Sequence, residues 1–146
     1  MSFRKLMTLF FFLFIISGCG SDGNGYVNQG SVASPVNIGT APATYLATIA
    51  GNSSALSSDS FSYYVVTLPN VSTLYNIKIS ALTTDADLTI YSDAGFTTTV
   101  GNSAESGTVD EVVSFIPTSI NQPLYIKVSN NDVVGTAFAL DVRETF

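Results

Sequence analysis

The chain has 146 residues, 46% of them hydrophobic and 11% charged, with eleven acids, five basic side chains, one cysteine and no histidine. The missing histidine excludes Ser-His and Cys-His pairs and imidazole metal ligands, and the net charge of −6 leaves no clustered Lys and Arg for nucleic acid. A single cysteine permits no disulfide within the chain, so the fold must rest on an apolar core.

The N-terminus opens with Arg4 and Lys5, followed by an apolar run from Leu6 to Ile16 broken only by Thr8. Small residues, Ser17 and Gly18, then precede Cys19. A positive start, a short apolar core and a small-residue boundary are the parts of a secretory signal. A membrane span needs about 20 apolar residues, and this run is shorter. Ile16-Ser17-Gly18-Cys19 resembles the lipobox of bacterial lipoproteins: an aliphatic residue, two small residues, then cysteine. The resemblance implies cleavage between Gly18 and Cys19 and acylation of Cys19 on its thiol and its new amine. One acyl chain holds a protein marginally, whereas two or more make a stable anchor. Gly20 is not the aspartate associated with inner-membrane retention, so a diderm host would place the protein at the outer membrane. Beyond residue 18 only Lys78, Lys127 and Arg143 are basic while all eleven acids remain, a side-chain charge of −8. Anionic lipid would repel such a chain, so the lipid itself must hold it.

Gly20 to about Pro42 is rich in Gly, Asn, Ser, Ala and Pro. It reads as a flexible linker with a root-mean-square span of about 25 Å. Alternatively, Val32–Ile38 adds an edge strand.

From Thr44 onward, short apolar runs alternate with turn residues. The expected strands are Thr44–Ala50, Phe61–Leu68, Leu74–Leu82, Asp87–Tyr91, Thr97–Val100, Glu111–Ile116, Leu124–Ser129 and Ala137–Val142. In Leu74–Leu82, Tyr75, Ile77, Ile79 and Ala81 share one face. In Asp87–Tyr91, Leu88 and Ile90 point one way while Asp87, Thr89 and Tyr91 point the other. Gly51–Ser60, Gly101–Thr108 and Pro117–Pro123 are expected as loops. The fold class is therefore all-β, an antiparallel sandwich of about eight strands. The expected organisation is a signal peptide over 1–18, a lipidated N-terminus and linker over 19–42, and the sandwich over 43–146.

Several segments occur in a recognisable order: Phe61–Leu68 with Pro69, Asp85–Tyr91, Ser106–Glu111, Tyr125–Val128 and Gly135–Leu140. The series resembles the bacterial pre-peptidase C-terminal domain over about Thr44 to Val142. That resemblance implies a jelly-roll-like β-sandwich of a non-catalytic kind, usually appended to exported enzymes and associated with binding, secretion or folding. This chain carries no peptidase domain beside it.

Asp85 and Asp87 stand two residues apart, so in an extended segment both can reach one cation. Asp110 and Glu111, with Glu105, come from a second loop. Calcium takes several oxygen ligands, which makes Asp85, Asp87 and Asp110 its candidates. Alternatively Asp85 caps a turn and Asp87 bonds backbone amides. Tyr63, Tyr64, Tyr75, Tyr91 and Tyr125 form either a binding face for sugar or protein, or ordinary cross-strand packing. No serine sits in a nucleophile elbow, and two-carboxylate sites belong to clefts of larger proteins. The expectation is a non-enzymatic, lipid-anchored binding or structural module of the bacterial envelope. It would need no cofactor, with calcium as the possible exception. Its partners would be the membrane and an exported protein or glycan, the former making it an accessory factor for an exported peptidase.

Overall fold

Phe61–Leu68 alternates Phe, Ser, Tyr, Tyr, Val, Val, Thr, Leu, and every second side chain is buried. That two-residue period defines a sheet with one face on a core. The computed structural model describes residues 29–51 and 60–145. The signal segment, Gly18, Cys19 and the first part of the linker lie outside them.

Nine strands follow in chain order: β1 Val36–Thr40, β2 Ala43–Ile49, β3 Phe61–Leu68, β4 Tyr75–Ser80, β5 Ala86–Tyr91, β6 Thr99–Ser103, β7 Glu111–Phe115, β8 Gln122–Asn130 and β9 Thr136–Glu144. No helix occurs among the described residues. The strands form a five-stranded sheet, β1-β3-β8-β5-β6, and a four-stranded sheet, β2-β9-β4-β7. Pairs β2·β9, β3·β8, β4·β7 and β5·β6 are nested and antiparallel. One long hairpin folded back over itself gives this jelly-roll arrangement.

The core lies between the sheets. Ile77, Ile79, Leu88, Ile90, Leu124, Ile126 and Leu140 are fully buried there. Each such side chain contributes roughly 1.5–3 kcal/mol on burial. Gly101 faces inward opposite Ile90, and a Cβ there would lie 2.4 Å from Val113 Cγ1. Glycine thus lets β6 close against β7 at the sandwich edge.

Four details differ from the sequence reading. Residues 29–42, expected within the linker, are fastened to the sandwich. The edge-strand alternative is adopted in part and shifted along the chain: the strand is Val36–Thr40 rather than Val32–Ile38, and it pairs in parallel with β3. The Gln29 carbonyl accepts from Tyr63 N–H at 2.7 Å, and Tyr45 Oη donates to Gln29 Oε1 at 2.8 Å. The sandwich is therefore antiparallel except at this edge.

Second, β4 stops at Ser80. Ala81 adopts a left-handed φ of 57° and is exposed, which breaks the alternation and turns Leu82 inward. Third, β6 runs on to Ser103 through residues expected to be loop, because β5 offers a paired edge along Leu88–Ile90. Fourth, Pro123 lies inside β8. It is tolerated because the β5 pairing ends at Tyr91↔Tyr125, so β8 has only β3 beside it there.

Candidate functional site

The outer face of the five-stranded sheet carries the side chains that alternate with the core. From β3 these are Phe61, Tyr63 and Val65, from β8 Tyr125, Lys127 and Ser129, and from β5 Asp87, Thr89 and Tyr91. Register sets them in rows: Phe61–Ser129–Asp87, then Tyr63–Lys127–Thr89, then Val65–Tyr125–Tyr91. Directly opposed side chains in such rows touch.

A loop completes the face. After β5, Ser92 to Thr98 folds back and sets Phe96 above the tyrosines. Its ring centroid lies 4.9 Å from Tyr63, 5.4 Å from Tyr91 and 5.6 Å from Tyr125, all edge-to-face. This arrangement suits the ring quadrupoles. Phe96 holds a left-handed φ of 53°, a conformation costly for any residue with a Cβ.

Asp93 supports the loop. Its carboxylate accepts from Thr98 N–H at 2.6 Å and from Thr97 N–H and Thr97 Oγ1. These bonds, led by the one from Thr98, hold its carboxyl below the usual carboxylate range.

Lys127 lies among the rings, with Nζ 3.7 Å from the Phe61 ring centroid. Alternation along β8 places it on the outer face, where it is half-buried. Desolvation lowers its pKa. The two ion pairs among the described residues are Lys78–Asp110 at 2.6 Å and Arg143–Asp141 at 3.2 Å. No described carboxylate pairs with Lys127, and Asp87, one diagonal step away, is unpaired as well.

The structure thus separates the five tyrosines singled out from sequence. Tyr63, Tyr91 and Tyr125 share the outer face. Tyr64 and Tyr75 are fully buried in the core. Tyr75 donates to Glu144 Oε1 at 2.9 Å, whereas Tyr64 Oη finds no partner among the described residues. Phe96 and Phe61 were absent from that set. Ser92–Gly95 announces a turn, but nothing local says that the next ring returns over the sheet.

The carboxylates considered for calcium lie in separate surroundings. Asp85 accepts from Gly107 N–H at 2.7 Å, a bond to the distant β6–β7 connection rather than the local turn cap that was its alternative. Asp87 sits on the outer sheet face, and Asp110 pairs with Lys78. Among the described residues no three His, Cys, Asp or Glu side chains gather to hold a metal. Glu111, expected to begin a strand and weighed as a ligand beside the second loop, does begin β7 and is fully buried. It accepts from the Ser103 hydroxyl and, at 2.8 Å, from Glu105 N–H. It therefore pins the β6–β7 connection.

No family model matches the chain, and no curated protein does. Among solved structures, it is similar to the pre-peptidase C-terminal domain of a collagenase from Bacillus anthracis. The two are 16% identical with a TM-score of 0.52, and the match covers 75% of this chain and 95% of that domain. At that identity the likeness concerns the fold, and it agrees with the pre-peptidase-like sandwich expected from the ordered segments.

Proposed function

We propose that the protein is a lipid-anchored, non-catalytic binding module of the bacterial cell envelope, and that its binding surface is the outer aromatic face. The observation that carries this reading is the Phe96 cluster. A loop in a costly backbone conformation holds an aromatic ring on a half-exposed face, where a core has no use for it. Strained loop residues of this kind concentrate at binding sites. The absence of histidine supports a non-catalytic role.

The anchor is Cys19, exposed by cleavage after Gly18 and acylated. In a diderm host the outer membrane is favoured. Nine residues separate Cys19 from Gln29, so the sandwich stays within about 35 Å of its anchor even with that segment fully extended. Calcium has no part in this reading.

Two arms test it. Cys19→Ala should move the protein from the membrane to the soluble fraction; full retention overturns the anchor. Phe96→Ala should remove partners that co-purify with the native lipoprotein while leaving it membrane-bound. An unchanged partner set overturns the face. A second reading, an accessory factor for an exported peptidase, is favoured by the likeness to a domain of a collagenase. It would be supported by recovery of one exported peptidase as the dominant partner.

A further inference from the structure

The face described above has a chemistry that narrows its ligand. Its three central strands, β3, β8 and β5, each have a neighbour on both sides. Their backbone groups are committed to the ladder, so no peptide can add to them as a strand. A ligand must be read by side chains alone. Those available are the Phe61, Tyr63, Tyr91, Phe96 and Tyr125 rings, Val65, the hydroxyls of Ser129 and Thr89, one amine and one carboxylate.

The amine and the carboxylate are the informative pair. Lys127 opposes Thr89, and Asp87 opposes Ser129, on adjacent strands. The two charges are thus diagonal neighbours, within reach of one ligand. They do not satisfy each other, since neither forms an ion pair among the described residues. Lys127 brings donors and Asp87 brings acceptors. Such a pair, one step apart, matches vicinal hydroxyls, each of which both donates and accepts. Phe96, held over Tyr63, Tyr91 and Tyr125 two rows along the face from Asp87, matches the apolar C–H face of a neighbouring pyranose on an extended chain.

Charge sets the remaining choice. The part after residue 18 carries a side-chain charge of −8, which repels polyanions. On this face one amine stands against one carboxylate, so there is no local positive excess.

We infer that the outer face is a binding site for a neutral polysaccharide, with Phe96 as the stacking ring and Asp87 and Lys127 as the hydroxyl-reading pair. This rests on the aromatic face being the binding surface. The site would occupy the middle of a sheet rather than a cleft, which suits an extended chain lying flat.

The test uses the full mature lipoprotein in mild detergent, run in native gels containing hydroxyethylcellulose, dextran, galactomannan or polygalacturonate. The expected result is retardation by at least one neutral polymer and none by polygalacturonate. Phe96→Ala should weaken binding about tenfold, the equivalent of losing one good ring contact. Asp87→Ala, on a side chain without an ion pair to lose, should weaken it with the fold intact, and Asp87→Asn should weaken it less.

Stronger retardation by polygalacturonate overturns the neutral assignment. Retardation that survives both Phe96→Ala and Asp87→Ala overturns the site. No retardation by any neutral polymer overturns the ligand class. In that last case a protein partner lost on Phe96→Ala would still support the face, so the two failures are distinguishable.

Discussion

Replacing Phe96 by alanine and by glycine gives a matched pair whose order the structure fixes. The ring makes three edge-to-face contacts, to Tyr63, Tyr91 and Tyr125, at 4.9, 5.4 and 5.6 Å between centroids. Such pairs are worth about 0.5–1.5 kcal/mol each, and the half-exposed position takes the lower end. Adding partial burial of the ring brings the loss in Phe96→Ala to roughly 2–3 kcal/mol. The backbone supplies the second number. At φ 53° a residue with a Cβ is strained by about 1–2 kcal/mol, and glycine is not. Glycine is ordinarily the less stable of the two by about 0.5–1 kcal/mol in regular structure. Here the order reverses, and Phe96→Gly should be more stable than Phe96→Ala by about 1 kcal/mol. Urea unfolding of the three proteins, compared at equal m, measures both differences. Two results refute the reasoning: a glycine variant less stable than the alanine variant, or an alanine variant within about 0.5 kcal/mol of the native protein.

Three further predictions concern stability. Glu111→Ala removes the acceptor for Ser103 and for Glu105 N–H, and should cost about 2–3 kcal/mol, with Glu111→Gln costing less; an unchanged urea midpoint would contradict the pinning role. Tyr64→Phe should be neutral or stabilising by up to about 1 kcal/mol, because its buried hydroxyl has no hydrogen-bond partner among the described residues; a clear loss in thermal midpoint would reveal a partner. Burial raises the pKa of Tyr63, Tyr64 and Tyr75 above the ordinary 10.0. Their contribution is fully present below pH 10.0 and is lost as pH rises past it, because the unfolded tyrosines ionise first. Lys127, with its lowered pKa, works in the opposite direction but is a single half-exposed group. Melting midpoints should therefore fall from about pH 9 to about pH 11, and a flat profile would contradict the assignment.

Much of the sandwich is legible in the chain because side-chain alternation is a local signal. Phe61–Leu68 reads as a strand with its bounds intact, and Tyr75, Ile77 and Ile79 point inward as their spacing requires. What fails is decided by partners distant in sequence. Val36–Thr40 reads either as linker or as part of an edge strand over Val32–Ile38 until β3 offers it a partner, and Gly101–Ser103 looks like loop until β5 does. Ala81 continues an apolar pattern, yet a left-handed φ removes it from the face.

The site divides in the same way. Tyr63, Tyr91 and Tyr125 alternate with core residues, so their exposure to one face can be read. Tyr64 follows Tyr63 directly and must point the other way, which its place in the strand already implied. Phe96 comes from a turn, and only the register of β5 against β8 brings tyrosines beneath it. Asp85, Asp87 and Asp110 look alike in the sequence, yet Gly107 N–H binds Asp85 and Lys78 pairs with Asp110, contacts that only the folded chain reveals.

The most direct test of the binding face is photo-crosslinking in the native envelope. A photoreactive side chain replaces Thr89 at the centre of the aromatic face, or Ser114 on the outer face of the opposite sheet. The account predicts captured material from position 89, diminished when Phe96→Ala is added, and little from position 114. Equal capture from both positions, or capture from position 114 alone, would contradict it.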